Sequence, residues 1–444
     1  MNQRKIDYLD FKEKVLDKVS DTFCAAKWFE VTLWLYMRSG ASCHHNPFHT
    51  VQLSEDDPSA LHNTEQKIAE REMMLSGQRV SGCHYCWDAE DAGIISDRMM
   101  KSYGYDWSEL TSNIPIKVNP KKIEIAFSRS CQLACAYCGP SFSSSWANDL
   151  SINGSYNLKS NTRFNKDIKD KIIPDASNQY IDAFFNWWKE LKHDLQVLRV
   201  TGGEPLLHPR FWEFLEILDT ERDYKQTLIV NSNLVHDKGQ IQRFIDKTKF
   251  MTDAWQTVEI HTSCESSLAH AEYTRDGFDG AVWYNNVIHI LNDSDIKLTF
   301  TTAINNMSIW SFGDYLNMIS TLKTKYGKTR ITANFNRVLY PQWHSLSLIP
   351  KQSRIDLACE LKTVFDSLSI LRDPQTVAAF SDLHQYLTTS DFTDSSFSKE
   401  TVLSDMVSFY DQFNIRRKKD ISVLDPRYVS WIEQTRKEIS NGST

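Results

Sequence analysis

The chain has 444 residues, of which 41% are hydrophobic, 12% aromatic and 24% charged. Its formal net charge of −7 gives no broad electrostatic reason to bind nucleic acid or an anionic membrane. The length predicts about three domain-sized units, although a barrel can take up two of them. The amino-terminal residues are polar and charged, so neither export nor membrane insertion is indicated and we expect a cytoplasmic protein.

Residues 1–118 are predicted to form a cysteine-rich segment. Residues 1 to about 30 have the apolar spacing of a charged helix, and a second helix is predicted over 65–75. Four of the nine cysteines of the chain lie in this segment: Cys24, Cys43, Cys83 and Cys86. Clustered cysteines in a reducing compartment favour metal ligation over disulfides. Four thiols suffice for one fully ligated iron–sulfur cluster or for zinc, and zinc could instead take His44 or His45 with the cysteines. Absence of any metal is the third alternative.

A second group of cysteines follows the strand-like run 122–128. Cys131, Cys135 and Cys138 have a C-x3-C-x2-C spacing on one predicted loop. Thiolates are the usual ligands of iron–sulfur clusters, and three of them leave one iron of a cubane open for another ligand. A structural zinc site is closed by four ligands, and this loop supplies three. The spacing therefore favours an open iron–sulfur cluster over zinc.

Strands and helices alternate from residue 119 to about 345. Strand-like runs are found at 122–128, 197–201, 227–233, 257–263, 297–303 and 330–338, with helical patterns such as 181–191 and 210–218 between them. This alternation predicts an α/β fold of right-handed parallel β/α units, and six units indicate an open partial barrel. The pleat places Glu259, His261 and Ser263 inward and makes Cys264 a core thiol. Residues 346–444 are predicted to be a separate helical region, with helices over 353–371 and 425–439.

Two inward side chains on neighbouring strands, Glu124 and Arg199, are predicted to meet inside the barrel. Adjacent parallel strands about 4.8 Å apart bring inward groups of matching height into contact. If the pair is buried, removing one partner is expected to cost on the order of 3 kcal/mol. We also expect the polar stretch 139–180 to be either a lid over the substrate or surface decoration.

The second strand of this region runs into Gly202, Gly203, Glu204 and Pro205. With the cysteine loop after the first strand, this Gly-Gly-Glu-Pro turn resembles the radical S-adenosylmethionine (SAM) superfamily. The resemblance covers about half of the chain and implies a partial (β/α)6 TIM-like barrel. The amino-terminal cysteines resemble the SPASM or twitch auxiliary-cluster segments of such enzymes, which commonly follow the barrel and here precede it. If so, the amino-terminal segment is expected to cap the carboxyl ends of the strands.

The resemblance implies two cofactors at the cysteine loop, a [4Fe-4S] cluster and SAM, and a second [4Fe-4S] cluster on the amino-terminal cysteines. It also implies roles for single residues. Gly202 and Gly203 would let the backbone approach the methionyl amine, and Glu204 would give electrostatic support. Tyr137 would pack near adenine, Ser263 and Glu265 would bind ribose hydroxyls or the methionyl group, and Arg275 would pair with the SAM carboxylate.

The function that the resemblance implies is reductive cleavage of SAM to a 5′-deoxyadenosyl radical that removes hydrogen from a substrate. Auxiliary clusters are frequent among members that oxidatively modify a peptide or protein side chain, so this substrate class is expected first. Oxidation or rearrangement of a sugar or other small metabolite is the alternative, and a non-catalytic iron–sulfur scaffold or sensor is a third. A reducing electron donor such as flavodoxin or ferredoxin is the implied partner. The acidic balance disfavours an enzyme acting on RNA.

Overall fold

The computed structural model describes residues 3–160, 164, 171–221, 226–253, 257–393 and 396–442. The strands, numbered in chain order, are β1 (Glu30–Trp34), β2 (Ser39–Ala41), β3 (His49–Thr50), β4 (Lys122–Ala126), β5 (Ala134–Cys135), β6 (Val197–Thr201), β7 (Thr227–Asn231), β8 (Thr257–Ser263), β9 (Arg275–Asp276), β10 (Lys297–Thr301) and β11 (Ile331–Asn334).

The α-helices are α1 (Gln3–Phe11), α2 (Asp17–Val19), α3 (Ala25–Phe29), α4 (Glu65–Leu75), α5 (His84–Asp91), α6 (Asp97–Tyr103), α7 (Ser144–Asn153), α8 (Gln179–Leu191), α9 (Pro209–Thr220), α10 (Lys238–Asp253), α11 (Leu268–Thr274), α12 (Gly280–Asp293), α13 (Phe312–Tyr326), α14 (Lys351–Ser367), α15 (Pro374–Thr389), α16 (Lys399–Arg417) and α17 (Pro426–Gly442).

The fold is α/β, as predicted. Among the described residues, nine strands form a mostly parallel sheet and β5 pairs with β9 in a separate two-stranded sheet. All six predicted strands of the 119–345 region are present, as β4, β6, β7, β8, β10 and β11. The chain divides into two compact units. The first comprises Met1–Ser128, Lys171–Gly202 and Pro209–Ile229, and the second comprises Arg129–Asp170, Gly203–His208 and Val230–Thr444.

The first unit contains the strand order β6-β4-β1-β2-β3, together with the first three residues of β7. Strand β1, which belongs to the predicted cysteine-rich segment, is parallel to β4, with Glu30 opposite Lys122. Strand β4 is in turn parallel to β6, with Glu124 opposite Arg199. The amino-terminal residues therefore extend the parallel sheet of this unit, which the sequence did not predict.

The amino-terminal helix is shorter than predicted. Residue Ser20 has extended backbone angles and ends α2, so a single helix over the first 30 residues is wrong. The hydroxyl groups of Ser20 and Thr22 both donate to the carbonyl oxygen of Met74 in α4. These bonds hold the chain in an extended turn before it re-enters the helical conformation at α3. The predicted helix over 65–75 is confirmed as α4.

The second unit contains β8, β10 and β11, which are mutually parallel in that order. Burial alternates along β8, where Val258 and Ile260 are buried and Glu259 and His261 are partly exposed. This confirms the predicted pleat. Cys264, which follows β8, is fully buried, also as predicted.

The polar stretch 139–180 is partly helical. It contains α7, whose first turn is capped by the Ser143 hydroxyl accepting from the backbone N–H of Trp146. Residues 161–163 and 165–170 of this stretch lie outside the described residues, so the expectation of a lid stays a prediction.

Candidate functional site

The cysteine loop, residues 129–146, is held closed by its own hydrogen bonds. The backbone N–H of Ser144 donates to the carbonyl oxygen of Arg129 at 2.9 Å. The indole N–H of Trp146, which is fully buried in α7, donates to the carbonyl oxygen of Cys135 at 2.9 Å. All three cysteines predicted as cluster ligands therefore lie on one compact, internally bonded loop of the second unit.

The thiols of this loop interact with one another. Burial raises the pKa of Cys131, and the neighbouring Cys135 and Glu204 raise it further. Burial raises the pKa of Cys135 to about 12, against an opposing effect of Arg275 and with an added contribution from Cys138. A thiol binds a metal only as the thiolate, so metal binding at this loop must displace protons. Iron cations supply the charge that stabilises the thiolates.

The loop fits an iron–sulfur cluster by the chemistry of its donors. Three thiols on one loop are the ligand type and number that leave one iron of a cubane open. Within the described residues, no group of three or more His, Cys, Asp or Glu side chains is arranged to hold a metal ion. A cubane differs from a single ion in that each thiolate binds a different iron, so its ligands do not converge on one atom.

Gly203 allows the turn after β6 to pack closely against the cysteine loop. A Cβ atom on Gly203 would overlap the carbonyl oxygen of Ser130. The next residue, Glu204, donates its backbone N–H to the same oxygen at 2.7 Å. In the first unit, Gly202 has a φ of +123° and a Cβ there would lie 2.6 Å from the carbonyl oxygen of Ser128. Both positions therefore require glycine.

The carboxylate of Glu204 accepts hydrogen bonds from other residues of the protein. Its Oε1 accepts from the Leu206 backbone N–H at 3.2 Å and from the Ser232 hydroxyl at 2.9 Å. Its Oε2 accepts from the backbone N–H of Asn233 at 2.7 Å, and Nε2 of His236 lies 3.2 Å from Oε1. Glu204 is only 2% exposed. Its main effect is thus to fix the segment after β7 beside the turn.

That segment carries a residue that the sequence analysis missed. The side-chain amide nitrogen of Asn233 lies 3.9 Å from the sulfur of Cys131. Asn233 also exchanges two hydrogen bonds with the side chain of Gln132, at 3.1 and 3.2 Å. The signal was present in the sequence, because polar residues at 231–233 end a predicted parallel strand, where ligands collect.

Three of the residues predicted to contact SAM, Tyr137, Glu265 and Arg275, contact one another. The guanidinium of Arg275 pairs with the carboxylate of Glu265, with 2.7 Å between NH2 and Oε2. The Tyr137 hydroxyl donates to Oε1 of Glu265 at 3.0 Å. Burial works against the charged guanidinium of Arg275, but Glu265 outweighs it and raises the pKa of Arg275 well above its ordinary value. The fourth predicted contact, Ser263, ends β8 opposite Thr301 of β10 and is partly exposed.

The amino-terminal cysteines also come together, within the first unit. One small cavity of about 30 Å³ is lined by all four: Cys24, Cys43, Cys83 and Cys86. The side-chain oxygen of Asn46 lies 3.2 Å from the sulfur of Cys83 and 3.8 Å from that of Cys43. Burial raises the pKa of Cys83 and of Cys86 to about 12. Four thiols around one cavity, of which Cys86 is buried and the other three are partly buried, match the donor set of a fully ligated cluster.

Of the two histidines considered as zinc ligands, His45 lines the cavity of the four cysteines and His44 does not. The His45 ring stacks on Tyr85 with 3.7 Å between ring centroids, and its Nε2 lies 2.7 Å from Asp97. His44 lines a second cavity, of about 180 Å³, together with Glu124 and Arg199. Burial lowers the pKa of His44. The choice between an all-cysteine site and one that includes His45 therefore stays a prediction.

The expected cap over the carboxyl ends of the strands is wrong for the strands of this unit. Cys43 and His44 line a cavity with Glu30, Lys122 and Val197, which are the first residues of β1, β4 and β6. The thiols therefore lie at the amino ends of these strands. The reason is the parallel pairing of β1, because the chain that carries Cys24 must enter β1 from its amino end.

No helix in the described part of the chain combines the length and the apolar character that a membrane span requires. Protein-family models give no match to this sequence, and curated proteins give none either.

Proposed function

We propose that this chain is a radical SAM enzyme that oxidatively modifies a peptide or protein side chain. Its cofactors would be a [4Fe-4S] cluster on Cys131, Cys135 and Cys138, and SAM bound to the open iron. When bound, this pair supplies a 5′-deoxyadenosyl radical that removes a hydrogen atom from the substrate, after electron delivery by a donor such as flavodoxin or ferredoxin. Peptides are the proposed substrates because auxiliary clusters are frequent among peptide-modifying members of the family.

The observation that carries the proposal is the contact between the cysteine loop and the turn after β6. Gly203 lies against the backbone of Ser130, and Glu204 is bonded to Ser130 and interacts with the thiol of Cys131. Residues 203–205 of the Gly-Gly-Glu-Pro motif, about 70 residues from the cysteine loop in the sequence, thus meet that loop within the second unit, in the combination that the resemblance implies. The parallel pairs β4–β6, β8–β10 and β10–β11 support a partial (β/α)6 barrel as the finer description of the fold.

The residues of the chain would have separate roles in binding and positioning the cofactors. The three thiolates hold the cluster and leave its fourth iron free for the amine and carboxylate of SAM. Gly203 lets the backbone of the turn approach closely, and Glu204 holds Asn233 beside Cys131. The protein contributes binding, orientation and the exclusion of water, as is general for cofactor enzymes.

We propose a second [4Fe-4S] cluster on the four amino-terminal cysteines. The cavity that they share supports this, and so does the position of His44, which lines a different cavity. Since these thiols lie at the amino ends of β1, β4 and β6, the second cluster would act in structure or electron storage rather than in direct contact with a substrate near Gly202.

The test of the main proposal is anaerobic reconstitution followed by iron and sulfide analysis and by measurement of 5′-deoxyadenosine after reduction with dithionite. We expect both a cluster and SAM cleavage in the wild-type protein. The triple variant with alanine at Cys131, Cys135 and Cys138 should lose SAM cleavage and about half of the iron and sulfide, whereas Cys359→Ala, at an exposed thiol, should lose neither. SAM cleavage by the triple variant would contradict the assignment. A cluster without SAM binding would indicate a scaffold or sensor.

The second cluster is tested by metal content. Reconstituted wild-type protein should hold about eight irons per chain, for two cubanes. The Cys83→Ala/Cys86→Ala variant should hold about four. About four irons in both proteins would contradict the second cluster. A zinc measurement on the same samples would then show whether the amino-terminal cysteines hold zinc or no metal.

A further inference from the structure

Arg275 is held directly opposite one of the proposed cluster ligands. In the antiparallel pair of β5 and β9, Arg275 is the partner of Cys135. The next residue of the cysteine loop, Ala136, donates its backbone N–H to the carbonyl oxygen of Thr274 at 2.8 Å. After β9 the chain turns at Gly277, whose φ is +90° and where a Cβ would lie 2.9 Å from the Gln132 carbonyl oxygen. The two backbones are therefore closely fitted.

One edge of the Arg275 guanidinium is hydrogen-bonded to the carboxylate of Glu265. Another edge faces the sulfur of Cys135. Its NH1 nitrogen lies 3.9 Å from the sulfur of Cys135. Its Nε and NH2 nitrogens lie 3.2 and 2.7 Å from Oε2 of Glu265. Arg275 is 4% exposed and Glu265 is fully buried. The ring of Tyr137 lies under the guanidinium, with 5.5 Å between Cζ and the ring centroid.

We propose that Arg275 sets the reduction potential of the cluster by donating an N–H to the sulfur of Cys135, with Glu265 as its positioning residue. This inference rests on the proposed function, because it needs a cluster on Cys135. The redox step is the uptake of one electron from a low-potential donor, which adds one negative charge to the cluster. Hydrogen bonds to the sulfurs, net charge and solvent exposure set the potential of such a cluster.

The buried guanidinium favours the reduced state. A cation close to the added negative charge attracts it strongly where water is excluded. Glu265 offsets part of this effect, but it lies on the opposite edge of the guanidinium from the sulfur. The two residues therefore have opposite effects. Loss of the cation at position 275 lowers the potential, and loss of the negative charge at position 265 raises it.

A redox titration monitored by electron paramagnetic resonance tests this, with dithionite as the reductant. In Arg275→Gln we expect the ratio of reduced to oxidised cluster at a fixed potential to fall about tenfold, which corresponds to about 59 mV for one electron. Arg275→Lys keeps the charge but loses the planar fork, so its shift should be smaller and of the same sign. Glu265→Gln should shift the ratio the other way. Arg337→Gln removes a cation that pairs with Asp382 and not with Glu265, so it should leave the reduction potential unchanged.

Unchanged potentials in Arg275→Gln and Arg275→Lys at full iron content would overturn the role of Arg275. If the variants lose the cluster, the Cys83→Ala/Cys86→Ala protein labelled with 15N-arginine gives the answer with Arg275 intact, because Arg98 lines the cavity of the amino-terminal cysteines and that site is then removed. Its reduced cluster should show spin-echo modulation from a nearby guanidinium nitrogen, and absence of that modulation would also overturn the proposal. A wild-type protein that binds no iron would instead contradict the proposed function, so the two failures are distinguishable.

Discussion

A side chain at position 203 would collide with the carbonyl oxygen of Ser130. A Cβ atom there would overlap that oxygen and the adjacent backbone of Arg129. Backbone atoms cannot swing aside as a flexible side chain does, so relief requires the turn and the cysteine loop to separate. The turn and the cysteine loop can therefore approach this closely only because position 203 has no side chain.

We therefore expect Gly203→Ala to destabilise the second unit by about 3 kcal/mol, at the upper end of what overpacking costs. The variant should also take up less iron during reconstitution. Gly313→Ala in α13 is the matched control, since a Cβ there meets only Val364 and Leu361 at 3.6 and 3.9 Å. Urea unfolding and iron analysis of both proteins check the expectation. Equal stability and equal iron content of the two variants would show that the contact is unimportant.

Glu204→Gln tests the carboxylate that organises the segment after β7. The amide keeps the size of the side chain but loses the charge, and its NH2 group cannot accept the bonds that both carboxylate oxygens now receive. Hydrogen bonds to a charged group contribute more than neutral ones, so the loss should be roughly 2 kcal/mol or more. Faster amide exchange at Asn233 would report it directly. Glu360→Gln, at an exposed carboxylate, should leave that exchange unchanged.

The strands and the two cysteine groups could be predicted from the sequence because their signals are local. An apolar run such as 257–263 alternates with a period of two, and a cysteine spacing is read within a few residues. Pairing between distant segments has no local signal. Nothing in the run that became β1 specifies that it pairs with β4, and this pairing decides at which end of the strands the thiols of the first unit lie.

The same limit explains the assignments of Glu265 and Arg275. The resemblance implies a separate contact with the cofactor for each of them. The structure brings them together because α11 reverses the chain between them, so that β9 returns beside β5. Sequence distance gives no indication of this return. Polar residues at a strand end could be predicted, but which of them bind one another could not.

The Glu124–Arg199 pair was predicted and is present, with 3.7 Å between the charged atoms. The side chains are 21% and 29% exposed and line a cavity with His44. Water therefore reaches the pair, and the expected cost of removing one partner falls from 3 to about 1 kcal/mol. A double-mutant cycle with Glu124→Gln and Arg199→Gln measures the coupling between the two residues. A coupling of 3 kcal/mol or more would mean that the pair is shielded from solvent.

A buried histidine beside two basic side chains predicts how the first unit responds to acid. Nδ1 of His62 lies 3.0 Å from the ammonium of Lys67, and its Nε2 lies 2.8 Å from the guanidinium of Arg71. All three side chains are nearly inaccessible to solvent. Burial lowers the pKa of His62 well below 6.5, and the two cations lower it further. His62 thus stays neutral in the folded unit at pH values where it is protonated in the unfolded chain.

Between pH 6.5 and 5 the histidine therefore binds a proton in the unfolded chain but not in the folded unit. The free energy of unfolding must decrease as the pH falls. A single histidine contributes at most about 1.4 kcal/mol per pH unit. His49, whose pKa burial lowers to about 4, adds a second contribution of the same sign. Amide exchange of α4, which carries Lys67 and Arg71, measures the stability of this unit at pH 7.5, 6.5 and 5.5. The His62→Gln variant should show a shallower decline than the wild-type protein. An equally steep decline in the variant would assign the acid sensitivity to other groups.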